Sequence, residues 1–490
     1  MPWAAMAVAM AAATALQFTT PDLVGIDSYF HIRYAQVIRE AGVRGFPPAF
    51  PWLPLTILAP DRYADHHLLY HVLLVPFTVG DPRLGGKIAA LAGIAALLGA
   101  LVWFLRRQGV SQIGIVLLAL GAASADFLFR VSMTRVQALS LVCLLVGLNF
   151  ALEHRHRALV VLGCVYAWLY DGFPLLMLPV GATLVAEIVC ARRLRPGIAI
   201  AALGGMAIGL VVNPYFPEYL RFMVHHFGDK LVSDAMIRVG GEWRPYAPLN
   251  LLGNALPAML LVAFGVATLG WNGLRGDRRA LAALVVAGVF FALTLRSQRF
   301  IEYFAPTATV FAALAGAAVV SRMTTRGRRA LVVLLTVVAL ANFVGVGWKL
   351  LVKRGDAPYD RYAAAAELVA REAPPGAMLC TTDWDDFPWL YFYNTKSTYL
   401  VGLDPTYFHD RYREAYWQWV DISQGKVPRP SRLLATRFPC AYVLSDREHT
   451  AFLGEAAIDP GLEEVLADER MVLYRVRRDG PPPLYPTTLG

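Results

Sequence analysis

Three carboxylates stand at the edges of apolar runs: Asp27 in GIDSYFHIRYA, Asp65 in RYADHHLLYH and Asp126 in SADFLFRVSMTR. Charge at membrane depth is costly and is kept where it lines a polar cavity or meets a base. Carboxylate oxygens in such a place suit a hard divalent cation, magnesium or manganese, or a general base that takes a proton from a hydroxyl. Asp27 and Asp126 are the candidate cation ligands, and Asp65 is a further candidate base. Each has a plainer role beside the chemical one. Asp27 fits the N-cap of the helix that follows it, and Asp126 stands one turn before Arg130, in reach of an ion pair. His67 and His71 have the i, i+4 spacing that puts two imidazoles on one face, without a third ligand nearby.

A second group is cationic. In RSQRFIEYFAP, Arg296, Arg299 and Tyr303 share one helical face at the outer end of a span. A planar guanidinium at that depth matches a phosphate or pyrophosphate, and a lipid-linked donor carries its phosphate there. Ordinary phospholipid headgroups would meet the same arginines. A third group is acidic and aromatic. GGEWRPYAP sets Glu242 after two glycines, which let backbone pass close to a ligand. TTDWDDFPWLYFYN crowds Asp383, Trp384, Asp385 and Asp386 just after a strand-like run. Carboxylates accept from sugar hydroxyls and aromatic rings cover a sugar's apolar face. The alternative is that Trp384 and Trp389 pin a soluble domain while the acids cap a helix.

These residues need a membrane frame. The 490-residue chain is 57% apolar and 17% charged, with a mean hydropathy of +0.48, outside the range of soluble domains. The net charge of +9 records basic cytoplasmic turns facing anionic lipid, not nucleic acid. Arg106/Arg107, Arg155/Arg157, Arg192/Arg193/Arg195, Arg275/Arg278/Arg279 and Arg322/Arg326/Arg328/Arg329 all fall between apolar runs. Reading outward from them predicts about eleven transmembrane helices, near 3–20, 86–105, 110–126, 132–152, 157–171, 173–191, 197–213, 248–272, 280–295, 300–320 and 329–351. HHLLYHVLLVPF reads as a helix lying at the outer interface. The first run has no basic flank or small-residue cleavage site and reads as a retained helix.

The resulting organisation is a transmembrane domain over 1–351 with long external loops at 21–85 and 214–247, then a small extracytoplasmic α/β domain over 352–490. YDRYAAAAELVARE reads as a helix, and GAMLC, STYLVG, AYVLS and MVLYRV as strands. An odd number of spans puts the N-terminus in the cytoplasm and the tail outside, in a membrane read as the bacterial inner membrane. Of the five cysteines, Cys380 and Cys440 lie in the tail, where an oxidising compartment would pair them and a buried strand would keep them as thiols.

In order along the chain these motifs resemble the membrane glycosyltransferases of the GT-C fold, in particular the single-subunit oligosaccharyltransferases and their eukaryotic catalytic subunit. DSYFHIR, Asp27 to Arg33, is similar to the family's first external D-x-x-Y/F-x-x-R motif. Asp126 stands where its second acidic motif falls, Glu242 matches its external-loop glutamate, and the arginines of RSQRFIEYFAP resemble the one that contacts the donor's pyrophosphate. DWDDFPW resembles its W-W-D motif, with Trp384 and Asp385 on the last two positions and Asp383 in place of the first tryptophan. The resemblance implies a GT-C-like polytopic enzyme. It would move a sugar or oligosaccharide from a polyprenyl-(pyro)phosphate donor to a lipid, glycan or protein acceptor, with a divalent cation between Asp27 and Asp126. Arg299, Arg296 and Tyr303 would bind the donor phosphate, and Glu242, Asp383, Trp384, Asp385 and Asp386 the acceptor. A transporter or flippase for lipid-linked glycans, or a non-catalytic assembly protein, is the alternative.

Overall fold

The computed structural model describes residues 2–232, 237, 240–356 and 358–477. Parts of the loop 214–247 and the end of the tail, 478–490, lie outside the described residues. The chain divides into two compact units.

The first unit takes in Met1–Gly25, His66–Phe216 and Gly240–Asp356 and is a helical bundle. Six of its described helices are long and apolar enough to cross a membrane: Pro82–Arg107, Phe173–Ala191, Pro248–Gly276, Arg278–Arg296, Gln298–Arg322 and Thr325–Arg354. A seventh crossing is a pair, Ile113–Ala123 and Ala125–Val131, bent by 96°. The break is local: Ser124 is extended, and its hydroxyl caps the second helix by accepting from Phe127 N at 3.1 Å. Shorter apolar helices, Trp3–Gln17, Leu68–Thr78, Gln137–Leu152, His156–Leu169 and Gly197–Val211, occupy most of the remaining places where spans are expected. Among the described residues, length and composition alone qualify six or seven helices as spans, which does not confirm the expected eleven; the protein is an integral membrane protein. Gly163, Gly205 and Gly209 let His156–Leu169 and Gly197–Val211 touch backbone to backbone, since a Cβ on any of them would strike the facing main chain. That is how helices associate in lipid, where no hydrophobic effect drives them together.

The second unit takes in Ile26–Asp65, Pro217–Val239 and Ala357–Gly490. Its centre is a five-stranded sheet of β1 (Met378–Thr381), β2 (Thr398–Tyr399), β3 (Cys440–Asp446), β4 (Leu462–Ala467) and β5 (Met471–Val476), in the order β2-β1-β3-β5-β4. β1 runs parallel to β2 and β3, while β5 is antiparallel to β3 and β4. Cys380 and Cys440 form a disulfide across β1 and β3, with Cα atoms 5.8 Å apart. The segment from 26 onward belongs to this unit through its aromatic residues. Tyr29 lies 5.4 Å from Phe392, and Phe30 lies 5.6 Å from Tyr391, so helix Asp27–Ala41 packs on helix Phe387–Tyr393. Trp52 extends the sheet edge, its carbonyl accepting from Tyr399 N at 2.7 Å.

Candidate active site

In the first unit the bend at Ser124 turns Ala125–Val131 out of line and brings Arg130 and Arg135 to one corner of the bundle. The loop carrying Glu242 is fastened at the same place. Ser297 Oγ donates to the Glu242 carbonyl at 2.9 Å, and Gln298 N donates to the Arg244 carbonyl at 3.0 Å. One carboxylate then meets three guanidiniums. Glu242 Oε2 accepts from Arg130 Nη1 at 3.0 Å and Arg135 Nη1 at 3.4 Å, and Oε1 accepts from Arg299 Nη1 at 3.0 Å. Arg299 also donates to the Tyr170 hydroxyl at 3.3 Å and lies 4.8 Å over the Trp243 ring. Arg130 Nε donates to Glu302 Oε2 at 2.7 Å, whereas Arg130 Nη2 is buried without a hydrogen-bond partner. Burial alone would push the Glu242 carboxyl up; the charges of Arg299, Arg135 and Arg130 overcome it and hold that carboxyl well below the usual carboxylate range.

The remaining expectations for this unit resolve individually. Arg296 ends helix Arg278–Arg296 and is exposed. Ser297 then breaks the helix in extended conformation, so Arg296, Arg299 and Tyr303 do not share a continuous helical face. Tyr303 turns into the bundle, 2% exposed, its hydroxyl 3.0 Å from Ser140 Oγ and its ring stacked on Phe290. Asp126 is paired not with Arg130 but with Lys349, Nζ to Oδ1 at 3.2 Å, and with the Tyr246 hydroxyl at 2.8 Å on Oδ2. Both of its oxygens are engaged, which does not fit an open cation ligand. Among the described residues no three His, Cys, Asp or Glu side chains gather as a metal site requires, and the rings of His67 and His71 lie 5.9 Å apart.

In the second unit the acids gather at the carboxyl ends of two parallel strands, where binding loops collect. The loop after β1 carries Asp383 to Asp386, and Asp446 ends β3. Asp383 Oδ1 accepts from Asp385 N at 3.4 Å. Asp446 Oδ1 accepts from His449 N at 3.1 Å, lies 2.8 Å from His449 Nδ1, and its Oδ2 is 4.0 Å from Arg361 Nη2. Burial, then the charge of Asp383, pushes the Asp385 carboxyl up to about 7, and the field of Asp27 adds to the rise. Asp386 is raised well above its ordinary range by burial and by Asp385 and Asp383. Burial draws the His449 imidazole down, but its hydrogen bond with Asp446 and the surrounding carboxylates raise it overall.

Asp27 is the first residue of its helix; Ile26 holds the cap position without a side-chain bond, so the N-cap reading of Asp27 fails. Asp65 is 2% exposed and acts electrostatically on Tyr391. Trp384 is half-buried against the sheet's core, and Trp389 is buried between Tyr29 and Tyr362 at 6.2 and 6.0 Å. Neither unit's site was complete in the sequence. Arg135 and Glu302 in the first, and Arg361, Asp446 and His449 in the second, were not singled out; the glutamate inside RSQRFIEYFAP, set among apolar residues, is the signal that would have found Glu302.

No known protein family's sequence model matches the chain, and no curated protein matches it. Solved structures do. The apo oligosaccharyltransferase of Archaeoglobus fulgidus superposes with a TM-score of 0.61 at 13% identity, over 93% of this chain and 71% of that one. ArnT from Cupriavidus metallidurans does so with a TM-score of 0.61 at 16% identity, over 98% of each chain. The mycobacterial arabinofuranosyltransferase AftD follows with a TM-score of 0.59 at 15% identity, over 96% of this chain and 40% of its own. All are GT-C glycosyltransferases, and the fold of this chain is the GT-C fold.

Proposed function

We propose that the protein is a membrane glycosyltransferase that moves a sugar or oligosaccharide from a polyprenyl-(pyro)phosphate to an acceptor on the outer face of the membrane. The observation that carries this reading is the cluster of Arg130, Arg135 and Arg299 within a GT-C fold. Structural neighbours support it: ArnT was solved bound to undecaprenyl phosphate, and the archaeal oligosaccharyltransferase with a dolichol-phosphate and an inhibitory peptide. In the proposed reaction an acceptor hydroxyl attacks the anomeric carbon as its bond to the phosphate oxygen breaks. The phosphate leaves with the bonding electrons, and a carboxylate, Asp27 or Asp65, takes the hydroxyl proton. Arg299 binds the phosphate, with Arg296 toward the headgroup layer. Glu242 answers to three guanidiniums, so acceptor contacts are proposed for Asp383, Trp384, Asp385 and Asp386. A lipid, a glycan and a protein side chain all offer such a hydroxyl or amide. Placement in a bacterial inner membrane, with the second unit outside, belongs to the same proposal.

The test is transfer of a labelled polyprenyl-phosphate sugar by the purified, reconstituted protein to supplied acceptors. Movement of label across the bilayer without a new covalent product would replace this reading with a transporter. Asp27→Asn keeps size and most hydrogen-bonding capacity and loses charge, so stability should hold while transfer falls about 10²-fold or more if it is the base. Full activity of Asp27→Asn would move the base to Asp65. A need for magnesium or manganese is a separate proposal: transfer that survives chelation removes it.

A further inference from the structure

We infer that Lys349 and Lys353, at the end of the last span away from its basic start, form a second anion site that holds the phosphate of an anionic membrane lipid over the Phe129 ring. The site is built within the first unit, apart from the arginine cluster, and does not depend on the glycosyltransferase reading.

Depth comes first. The last span, Thr325–Arg354, begins with Arg326, Arg328 and Arg329. At 1.5 Å per residue Lys349 lies about 30 Å further along, so the two lysines stand at the phosphate level of the opposite leaflet. Trp348, 69% exposed, marks the same depth, where indole rings gather. A lysine that merely snorkels to headgroups leaves its helix on the lipid side. These two do not. Lys349 and Lys353 share a face, by helical spacing, with Asn342, Val346 and Leu350. Val346 and Leu350 are 1% and 7% exposed, and Asn342 donates to the Gly121 and Ala122 carbonyls at 3.2 and 3.0 Å, so this is the packed face. Val337, Leu340, Val344 and Trp348 form the exposed one. Both ammoniums are thus turned toward the protein, with Nζ 4.3 and 5.1 Å from the centroid of the Phe129 ring. They stay reachable, the Lys349 side chain being 42% exposed and Lys353 exposed as well.

Charge and shape then select the ligand. Asp126 Oδ1 accepts from Lys349 Nζ at 3.2 Å, and its Oδ2 accepts from the Tyr246 hydroxyl at 2.8 Å. An ammonium has three hydrogens, so Lys349 can meet an anion without giving up Asp126. Among the described residues the charges that act on Lys353 are those of Lys349 and Asp126. Two ammoniums held within about 5 Å of one ring centre repel each other. A phosphate placed between them turns that repulsion into two charge-assisted hydrogen bonds. Below the lysines the wall is apolar, since Phe129 packs with Leu16, Val346 and Leu350, and the exposed face of the span continues it with Val344, Leu340 and Val337. A molecule with a phosphate head and hydrocarbon chains matches this order, whereas a free phosphate meets only the lysines. Helix Ala125–Val131 stands between this pair and the arginine cluster: its Asp126 and Phe129 meet the lysines, and its Arg130 meets Glu242 and Glu302.

The experiment uses the full-length protein in phosphatidylcholine nanodiscs doped with phosphatidylglycerol that carries a photoreactive group at the head of one acyl chain. Equally labelled phosphatidylcholine, whose choline answers its own phosphate, is the control. Crosslinks are mapped by mass spectrometry to 343–353 and 125–131. The native yield there should be about tenfold higher with phosphatidylglycerol, the factor of one charge-assisted hydrogen bond. Lys353→Gln should lower that yield several-fold, and Lys349→Gln combined with Lys353→Gln should bring it to the phosphatidylcholine level. Equal yields from the two lipids, no crosslinks in these segments, or a native yield in a folded double variant overturns the inference. Should the double variant fail to fold, the single one decides: a native yield from Lys353→Gln overturns the inference. Excess inorganic phosphate is run as a competitor. Undiminished labelling supports a lipid held by head and chain together, and labelling abolished by the free anion removes the lipid and leaves a phosphate site in its place.

Discussion

Arg299 holds Glu242 with one terminal nitrogen and Tyr170 with the other, so substitutions there separate charge from fork geometry. Arg299→Ala should raise the donor concentration needed for half-maximal transfer by about 10- to 100-fold, the range expected for a lost charge-assisted hydrogen bond. Arg299→Lys should recover only part, because an ammonium cannot bond two partners through a planar fork. Full transfer by both variants at limiting donor would place phosphate recognition elsewhere. Asp385 offers a pH test in the other unit. Its folded-state carboxyl is raised from 3.8 to about 7. The stability it contributes is complete below about pH 4, where the unfolded group is also protonated, and is lost as pH rises through about 7. Asp385→Asn removes that titration. Its unfolding temperature should match the native protein near pH 3, begin to exceed it above about pH 4 and exceed it by a few degrees near pH 8. Parallel curves for the two proteins across that range would show that the carboxyl is not perturbed.

Strands and helices differ in how much of them the sequence exposes. The long spans are legible because an apolar run closed by arginines has one physical solution in a bilayer. The bend at Ser124 is not, since the run from 110 to 126 stays apolar through it and only a capping serine marks the break. β1, β2, β3 and β5 fall on the strand-like runs GAMLC, STYLVG, AYVLS and MVLYRV. β4 is missed because LEEVLA lies at the sheet edge, where Glu463 and Glu464 face solvent as edge strands require. The pairing of Glu242 with Arg130 joins positions 112 residues apart, and that of Arg130 with Glu302 positions 172 apart; no local spacing encodes them. The cysteine pair was open from sequence and is closed by the parallel placement of β1 beside β3. It fastens a loop of 60 residues that includes Asp383 to Asp386. On chain-entropy grounds its reduction should cost about 4 kcal/mol of stability. Thermal unfolding with and without reductant, alongside mass mapping of alkylated thiols, measures this; two alkylated cysteines without reductant would mean the bond does not form.

The proposed orientation starts from contacts that gather the basic turns at one end of the bundle. Arg107 meets Glu153 at 2.7 Å, Arg279 donates to the Gln108 carbonyl at 2.8 Å, and Arg278 meets Glu187 at 2.9 Å and the Leu152 carbonyl at 2.7 Å. Helix Arg278–Arg296 starts in that group and ends beside Ser297 and Arg299, and its 19 residues rise about 28 Å, the thickness of a bilayer core. The cluster of Arg130, Arg135 and Arg299 therefore lies at the opposite end of this helix from the basic turns. With positive charge retained in the cytoplasm, the proposed orientation turns that arginine cluster outward. In the proposed orientation the last span begins with Arg326, Arg328 and Arg329 on the basic side, whether or not the short helices cross. Single cysteines report this in intact cells, in a background lacking Cys143, Cys164 and Cys190. Gly276→Cys and Gly327→Cys should stay shielded from an impermeant thiol reagent. Gly402 is unsuitable in the second unit, since a Cβ there would strike Phe387, whereas Gly454 is exposed with open space around it. Gly454→Cys should label without permeabilisation, and labelling of Gly276→Cys instead would invert the proposed orientation and put Arg130, Arg135 and Arg299 on the cytoplasmic side.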